Sequence, residues 1–265
     1  MPTSKPEATS IWLRRPHPRT RSSPLSRTRI VDAAVDLLDR RGISGLTMRN
    51  LAESLHVTAT ALYWHVNTKE DVLDLAFDHI FGEVALPEPT EWQHDVRYLM
   101  KAWRAVLLRH PWAPAWIGRP VLGPHVLART EFLQSALSRG GLTDLHLAVT
   151  THLLANHVIG SALTEATFRR TSGPDRRLDA RRHITADPAA FPTLNASGHL
   201  DANRWNDDEL FERGLDAILA STNAAVPTSS TSSRTGVDAV TPDRHARARR
   251  AHGATSDTPP VGGAR

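Results

Sequence analysis

Between Gly42 and Asp71 the sequence sets small hydroxyls, one phenol and two cations at intervals that suit contact with a nucleic-acid duplex. Thr58, Thr60, Ala61, Tyr63 and His65 fall on the outer side of one short helical segment, Thr58 to His65, while Leu62, with Val57 and Val66, turns the other way. Short side chains such as Thr60 and Ala61 let a helix come close to base edges and meet a thymine methyl. The Tyr63 phenol can hydrogen-bond a phosphate oxygen. Arg49 and Lys69 stand at the flanks, where long cations reach phosphates or, for Arg49, a guanine edge.

The elements that must hold these side chains are legible on either side. Ile30, Ala33, Ala34, Leu37 and Leu38 recur at helical spacing, which predicts a first helix from Ser26, its N-cap, to about Arg41, with Gly42 as the stop. A short helix follows from Thr47, carrying Leu51, Ala52 and Leu55 on one face and Arg49, Asn50 and Glu53 elsewhere. Thr58 caps a third, Ala59 to about Trp64, and Thr68-Lys69-Glu70-Asp71 reads as the capping-box start of a fourth. Two short helices joined by a tight turn form a helix-turn-helix candidate, whose second helix can lie in the major groove while the first crosses the backbone. Short helix pairs with a turn are common, so on spacing alone a plain packing unit is the better-supported reading.

The residues decide between them. The run from Gly42 to Asp71, GISGLTMRNLAESLHVTATALYWHVNTKED, closely resembles the DNA-binding domain of the tetracycline-repressor (TetR) family. The likeness is carried by Leu46-Thr47, Leu51-Ala52, Leu55, Val57, Leu62-Tyr63-Trp64-His65 and Lys69, and beyond the run by Leu73. It implies that Thr47, Arg49, Thr58, Thr60, Tyr63, Trp64, His65 and Lys69 occupy positions used at or beside DNA. One departure is His56, at a turn position often filled by Gly in this family; His is among the residues that tolerate positive φ.

The resemblance continues through the C-terminal body, in Trp92-Gln93, Trp103-Arg104 to Arg109, Gly118-Arg119-Pro120, the helix around Gly160 and the FERGLDAIL stretch. In the tetracycline-repressor subgroup the two long C-terminal helices of each subunit form a four-helix dimer interface. The likeness therefore implies that helices 143–168 and 207–221 build a homodimer here. A two-fold dimer sets its recognition helices about 34–36 Å apart on double-stranded DNA and reads a palindromic operator. Leu99, Leu133, Trp116 and Ala85 align where tetracycline-binding members carry polar or metal-binding groups, which argues against magnesium-tetracycline. The expected pocket is lined by Leu99, Trp103, Trp116 and Leu133 and suits an apolar or aromatic small-molecule effector, although the same residues also suit solid core. Asn156 and His157, with His152 nearby, are candidate polar contacts. Their spacings of five and one do not make a facial metal pair, and no metal or other cofactor is expected. The Arg169 to Arg182 cluster suits either an anionic effector or a solvated loop.

Composition bounds the rest. Of 265 residues, 40% are hydrophobic, and these concentrate between Ile30 and Leu219. Further helices are expected from about Glu91 to Arg109, His125 to Arg139, Thr143 to Phe168 and Asp207 to Ser221, with a polar loop over 169–206. No stretch alternates with period two and no repeat is apparent, so the expected fold is all-α. The expected organisation is a disordered basic arm (1–25), a helix-turn-helix domain (26–72), an effector-binding and dimerisation body (73–222) and a disordered tail (223–265). Seven basic residues and one acid lie from Lys5 to Arg29, whereas the whole chain carries only +4. The absence of cysteine excludes disulfides, thiolate zinc and thiol nucleophiles, and suits a reducing cytoplasm. Pro16-His17-Pro18-Arg19 breaks any export signal after Arg14-Arg15, and no apolar run approaches the roughly 18–20 residues of a membrane span. A helical enzyme built from the fourteen His and many carboxylates is the competing class. It lacks a phosphate-binding loop, a nucleophile elbow or a His-Glu-x-x-His helix. A DNA-binding dimer without an effector is the other alternative.

Overall fold

The computed structural model describes residues 10–13, 25–117, 122–169 and 173–223. Among them every regular element is helical, as expected. The α-helices are α1 (Arg27–Gly45), α2 (Met48–Ser54), α3 (Ala59–Tyr63), α4 (Lys69–Phe81), α5 (Trp92–Arg109), α6 (Pro124–Arg139), α7 (Asp144–Thr167), α8 (Gly173–Ala186), α9 (Pro192–Ser197) and α10 (Asp207–Asn223).

The N-terminal helices start on side-chain caps. The Ser26 hydroxyl accepts the Arg29 N–H, Thr47 the Asn50 N–H, Thr58 the Ala61 N–H, and Thr68 shares a reciprocal capping box with Asp71. Gly42 interrupts the helical run with φ 65° and ψ −176°, a backbone that admits glycine far more readily than other residues. α1 packs on α2 and α4, and α2 on α3. Ile30, Leu38, Leu51, Leu62 and Leu73 are fully buried between them. Each such side chain contributes roughly 1.5–3 kcal/mol by leaving water.

The second group centres on α5, which lies against α6 and α7, while α7 lies against α10. Arg104 of α5 ties three helices. Its guanidinium donates to Ser161 (3.1 Å) and Glu165 (2.6 Å) of α7 and to Asp208 (2.6 Å) of α10, and it covers the Phe211 ring at 4.8 Å. A charge this buried persists because its donors meet carboxylates and a hydroxyl. α4 joins the two groups, touching α1 on one side and α5 and α6 on the other.

Two expectations need correction. The stretch 169–206 is not a loop with little regular structure, since it holds α8 and α9. The presumed breakers act at helix ends instead: Pro192 is the first residue of α9, and Gly198 caps it in the left-handed region (φ 69°). Ile184 is the buried anchor, and Asn195 donates to its carbonyl (2.9 Å). Nor does the whole arm before Ser26 lack structure. Ile11–Leu13 forms a 3-10 turn with Ile11 buried in the core and Trp12 packed against it. This Ile-Trp-Leu triplet is the most apolar part of the arm, and its burial offsets the entropy of ordering the segment. The remaining arm residues expected to be disordered, 1–9 and 14–24, and the tail beyond 223 lie outside the described residues.

Candidate nucleic-acid interface

The turn from α2 into α3 is held from both ends. The Val57 N–H donates to the Ala52 carbonyl (3.0 Å) and the His56 N–H to the Glu53 carbonyl (3.2 Å), while His56 takes φ 56°. The residue that departs from the family's usual glycine thus adopts the positive-φ turn, at the modest strain a His accepts. Leu62, fully buried, pins α3 inward, with Val66 buried behind it.

With Leu62 inward, the opposite side of α3 faces solvent. Thr58, Thr60, Tyr63 and Trp64 are exposed, Trp64 at 71% and Tyr63 at 50%. Two large aromatic side chains standing in water beside two threonines form a surface awaiting a partner. Thr47 and Arg49 are exposed on the neighbouring helix. The Thr47 and Thr58 hydroxyl oxygens are occupied as caps, yet each O–H remains able to donate to a phosphate. Ala61 is half-buried and packs against the core, so it is less outward than its spacing implies.

The flanking groups differ in freedom. Arg49 pairs with Glu53 one turn along its own helix (2.8 Å), both side chains being solvent-exposed, so exchange for a phosphate costs little. The Lys69 ammonium donates to the Ile43 carbonyl (2.8 Å) and so joins the start of α4 to the end of α1. It retains two further N–H donors. His65 is half-buried; desolvation, and then the charge of Arg27, push its pKa below the ordinary histidine value. Both effects favour the neutral ring over the cation.

The proposed pocket residues are distributed unevenly. Leu99 and Trp103 of α5 and Leu133 of α6 lie in one buried cluster, and Trp116 packs against it while its indole N–H donates to Asp74 (3.0 Å). The Trp103 ring meets Phe81 edge-on at 5.6 Å, and its buried N–H has no acceptor among the described residues. His157 belongs to a different contact. Its Nε2 lies 2.9 Å from the Phe211 carbonyl and its ring stacks on Phe211 at 5.0 Å, so it serves the α7–α10 packing. Asn156 is exposed on α7. No group of three His, Cys, Asp or Glu among the described residues could hold a metal, and none of their helices is long and apolar enough to cross a membrane. Sequence reasoning missed the role of Arg104, the one cation among the buried residues of α5, whose signal was its helical spacing from Met100 and Leu107.

Comparison with known proteins agrees with this geometry. Residues 30–76 match the family model described as bacterial regulatory proteins of the tetR family, and residues 86–225 match the tetracyclin repressor-like C-terminal domain. A helix-turn-helix-type transcriptional regulator of Saccharopolyspora erythraea is 40% identical over 222 residues, 82% of this chain and 93% of that protein. The class D tetracycline repressor protein of Escherichia coli is 39% identical over 90 residues, covering 32% of this chain and 41% of that one. Among solved structures, the Streptomyces coelicolor TetR family protein ActR in complex with actinorhodin superposes with a TM-score of 0.70 at 30% identity, covering 77% of this chain and all of that one.

Proposed function

The chain belongs to the tetracycline-repressor family of transcriptional regulators, and from that premise we propose that it represses by gripping a palindromic operator as a homodimer and is released by an apolar or aromatic small molecule. The observation that carries the reading is the outer side of α3, where Thr58, Thr60, Tyr63 and Trp64 stand exposed over a fully buried Leu62. Thr47, Arg49 and Lys69 supply phosphate contacts around it. His65 and Ala61 complete the DNA side at closer range.

Residues 26–72 form the DNA-binding domain in this reading and residues 73–222 the effector and dimerisation body; the two family matches, split between 76 and 86, favour that division. Dimerisation uses α7 and α10. Leu145, Val149 and Leu153 recur along α7 as exposed apolar side chains, with Leu163 beyond them and Leu210 exposed on α10. An uncovered stripe of that length is costly in water and suits a second copy. The chain works in the cytoplasm, where the DNA is.

The effector occupies the region of Leu99, Trp103, Trp116 and Leu133. A buried indole N–H without an acceptor costs about 1–3 kcal/mol, and a ligand oxygen offered to Trp103 relieves that cost. That a related regulator is known in complex with actinorhodin supports control by a bound ligand. Asn156 and His157 are retained only as contacts made near the α7 face. The reading is tested by selecting binders from random duplexes at fixed salt, with Arg49→Ala and Tyr63→Phe beside the wild type. An enriched palindrome lost in both variants supports it, and the absence of enrichment defeats it. Release of the selected duplex by a panel of planar aromatic compounds then tests the effector.

A further inference from the structure

His110 stands where three parts of the chain meet. It caps the C-terminus of α5, its N–H bonded to the Val106 carbonyl (3.0 Å), and its side chain is 10% exposed. Ring Nδ1 lies 2.8 Å from Asp39 Oδ1 and 3.1 Å from Oδ2, on α1. Ring Nε2 lies 3.0 Å from Glu83 Oε1, just beyond α4. Asp39 lies in the stretch that matches the N-terminal family model, His110 in the stretch that matches the C-terminal one, and Glu83 in the link between them.

Both ring nitrogens therefore face carboxylates, which accept and do not donate while ionised. A neutral imidazole has one N–H, so one nitrogen would present its lone pair to a carboxylate oxygen. The imidazolium alone donates in both directions. Charge counting agrees. The groups facing the ring are Asp39 from α1 and Glu83 from the α4 end, and Glu83 also pairs with Arg109. Trp112, edge-on to the ring at 6.3 Å, gives its N–H to Asp39 (2.8 Å). With His110 protonated, two negative groups meet two positive ones; without that proton a net negative charge is left half-buried. Burial would push the Glu83 carboxyl up, but Arg109 and His110 together hold it below its ordinary range, so it remains ionised.

We propose that His110, as an imidazolium, is a positioning residue that clasps the helix-turn-helix domain to the effector body, and that operator affinity falls as this proton leaves. α1 carries α2 and α3 with it, so a slackened Asp39 contact lets the recognition helices of a dimer drift from the spacing one operator needs. This rests on the DNA-binding reading above and adds a proton-dependent control to it.

The test uses the full-length protein and its selected duplex at constant ionic strength, from about pH 6 to about pH 8. The wild type is expected to lose about fivefold to tenfold more affinity across that range than H110Q, which carries no titrating ring. Every other histidine is common to both proteins and cancels in the comparison. Spectra of protein labelled with nitrogen-15 at histidine give a second readout that needs no DNA. They should show both His110 nitrogens protonated at the acid end, and E83Q should lower the pH at which one proton is lost. Identical pH profiles in wild type and H110Q overturn the clasp, as does a singly protonated ring near pH 6. If H110Q fails to fold, E83Q replaces it in the affinity series and must move the fall in affinity to lower pH. A wild type that binds no duplex at any pH defeats the DNA-binding reading instead, and the nitrogen spectra still decide the protonation.

Discussion

Asp78 of α4 and Arg129 of α6 each close the other's helix. The Asp78 carboxylate accepts the Val126 N–H at the start of α6 (2.9 Å), and the Arg129 guanidinium donates to the Gly82 (3.2 Å) and Val84 carbonyls at the end of α4. Both residues are buried, so each orphan backbone group is satisfied by a charge that would be costly alone. Arg129→Met should destabilise the protein by about 2–4 kcal/mol in urea unfolding, because it strands two carbonyls and removes one of the positive charges beside Asp78. Burial pushes the Asp78 carboxyl above its ordinary range despite the Val126 hydrogen bond and the charges of His125 and Arg129. A carboxyl whose folded pKa is raised stabilises the fold most when protonated, so its contribution falls as pH rises through that raised value. Asp78→Asn keeps an acceptor for Val126 and should flatten that part of the pH profile.

The cations beside α3 should separate in their effects. Arg49→Ala should lower the salt dependence of operator binding by about one unit without moving the unfolding midpoint, since its partner Glu53 is also solvent-exposed. Lys69→Ala should lower both, because its ammonium also holds the Ile43 carbonyl, and a bond of that kind is worth about 1 kcal/mol. Titrations at several salt concentrations beside thermal melts would show whether the two losses divide this way. Unchanged operator affinity in both variants would move the DNA face elsewhere.

Dimerisation is tested at Leu153, exposed in mid-helix on α7. A Cβ added at Gly160, about two turns further on, would meet nothing within 4 Å among the described residues. A helix-interior glycine costs about 1 kcal/mol against alanine, and packing among the described residues does not explain it. Close approach of a second copy's helix, as proposed above, would. Leu153→Glu should give a folded monomer by sedimentation and weaken operator binding about a hundredfold or more, because the second half-site no longer binds intramolecularly. A dimer that survives Leu153→Glu would place the interface on another face.

The helix-turn-helix was legible in the sequence because local rules agree there: threonine caps, apolar spacing and a turn residue all point to one structure, down to His56 at positive φ. The body was legible as helices but less so as a site. Apolar periodicity marks Leu99 and Leu133 as buried without saying whether they line a pocket or fill a core. Asn156 and His157 are sequence neighbours on a helix and so point about 100° apart, one to solvent and one onto Phe211. α8 was missed because its amphipathic signal is weak, and its Arg177 finds Asp207 (2.8 Å) thirty residues away. The clasp at His110 could not be read at all. Asp39, Glu83 and His110 are distant in sequence and only the packing of α1, α4 and α5 brings them together.

Asp95 supplies a pH signature opposite in sign to that of Asp78. Its buried carboxylate accepts both the N–H (2.9 Å) and the hydroxyl (2.6 Å) of Thr90 and pairs with Arg139, fastening the start of α5 to the end of α6. Burial pushes its pKa up, but the Thr90 hydrogen bonds and the charges of Arg139 and His94 outweigh that and hold it below the ordinary value. The folded state thus releases the proton more readily than the unfolded one. This stabilisation is complete above the unfolded carboxyl's pKa of about 4 and is lost as pH falls through the lower folded value. Asp95→Asn should cost about 1–3 kcal/mol at neutral pH, and the gap from wild type should close as the pH falls below about 4. Urea midpoints for the two proteins across acid pH measure that gap. A constant difference down to the most acid point would mean that the carboxylate's charge contributes nothing and that shape alone holds the joint.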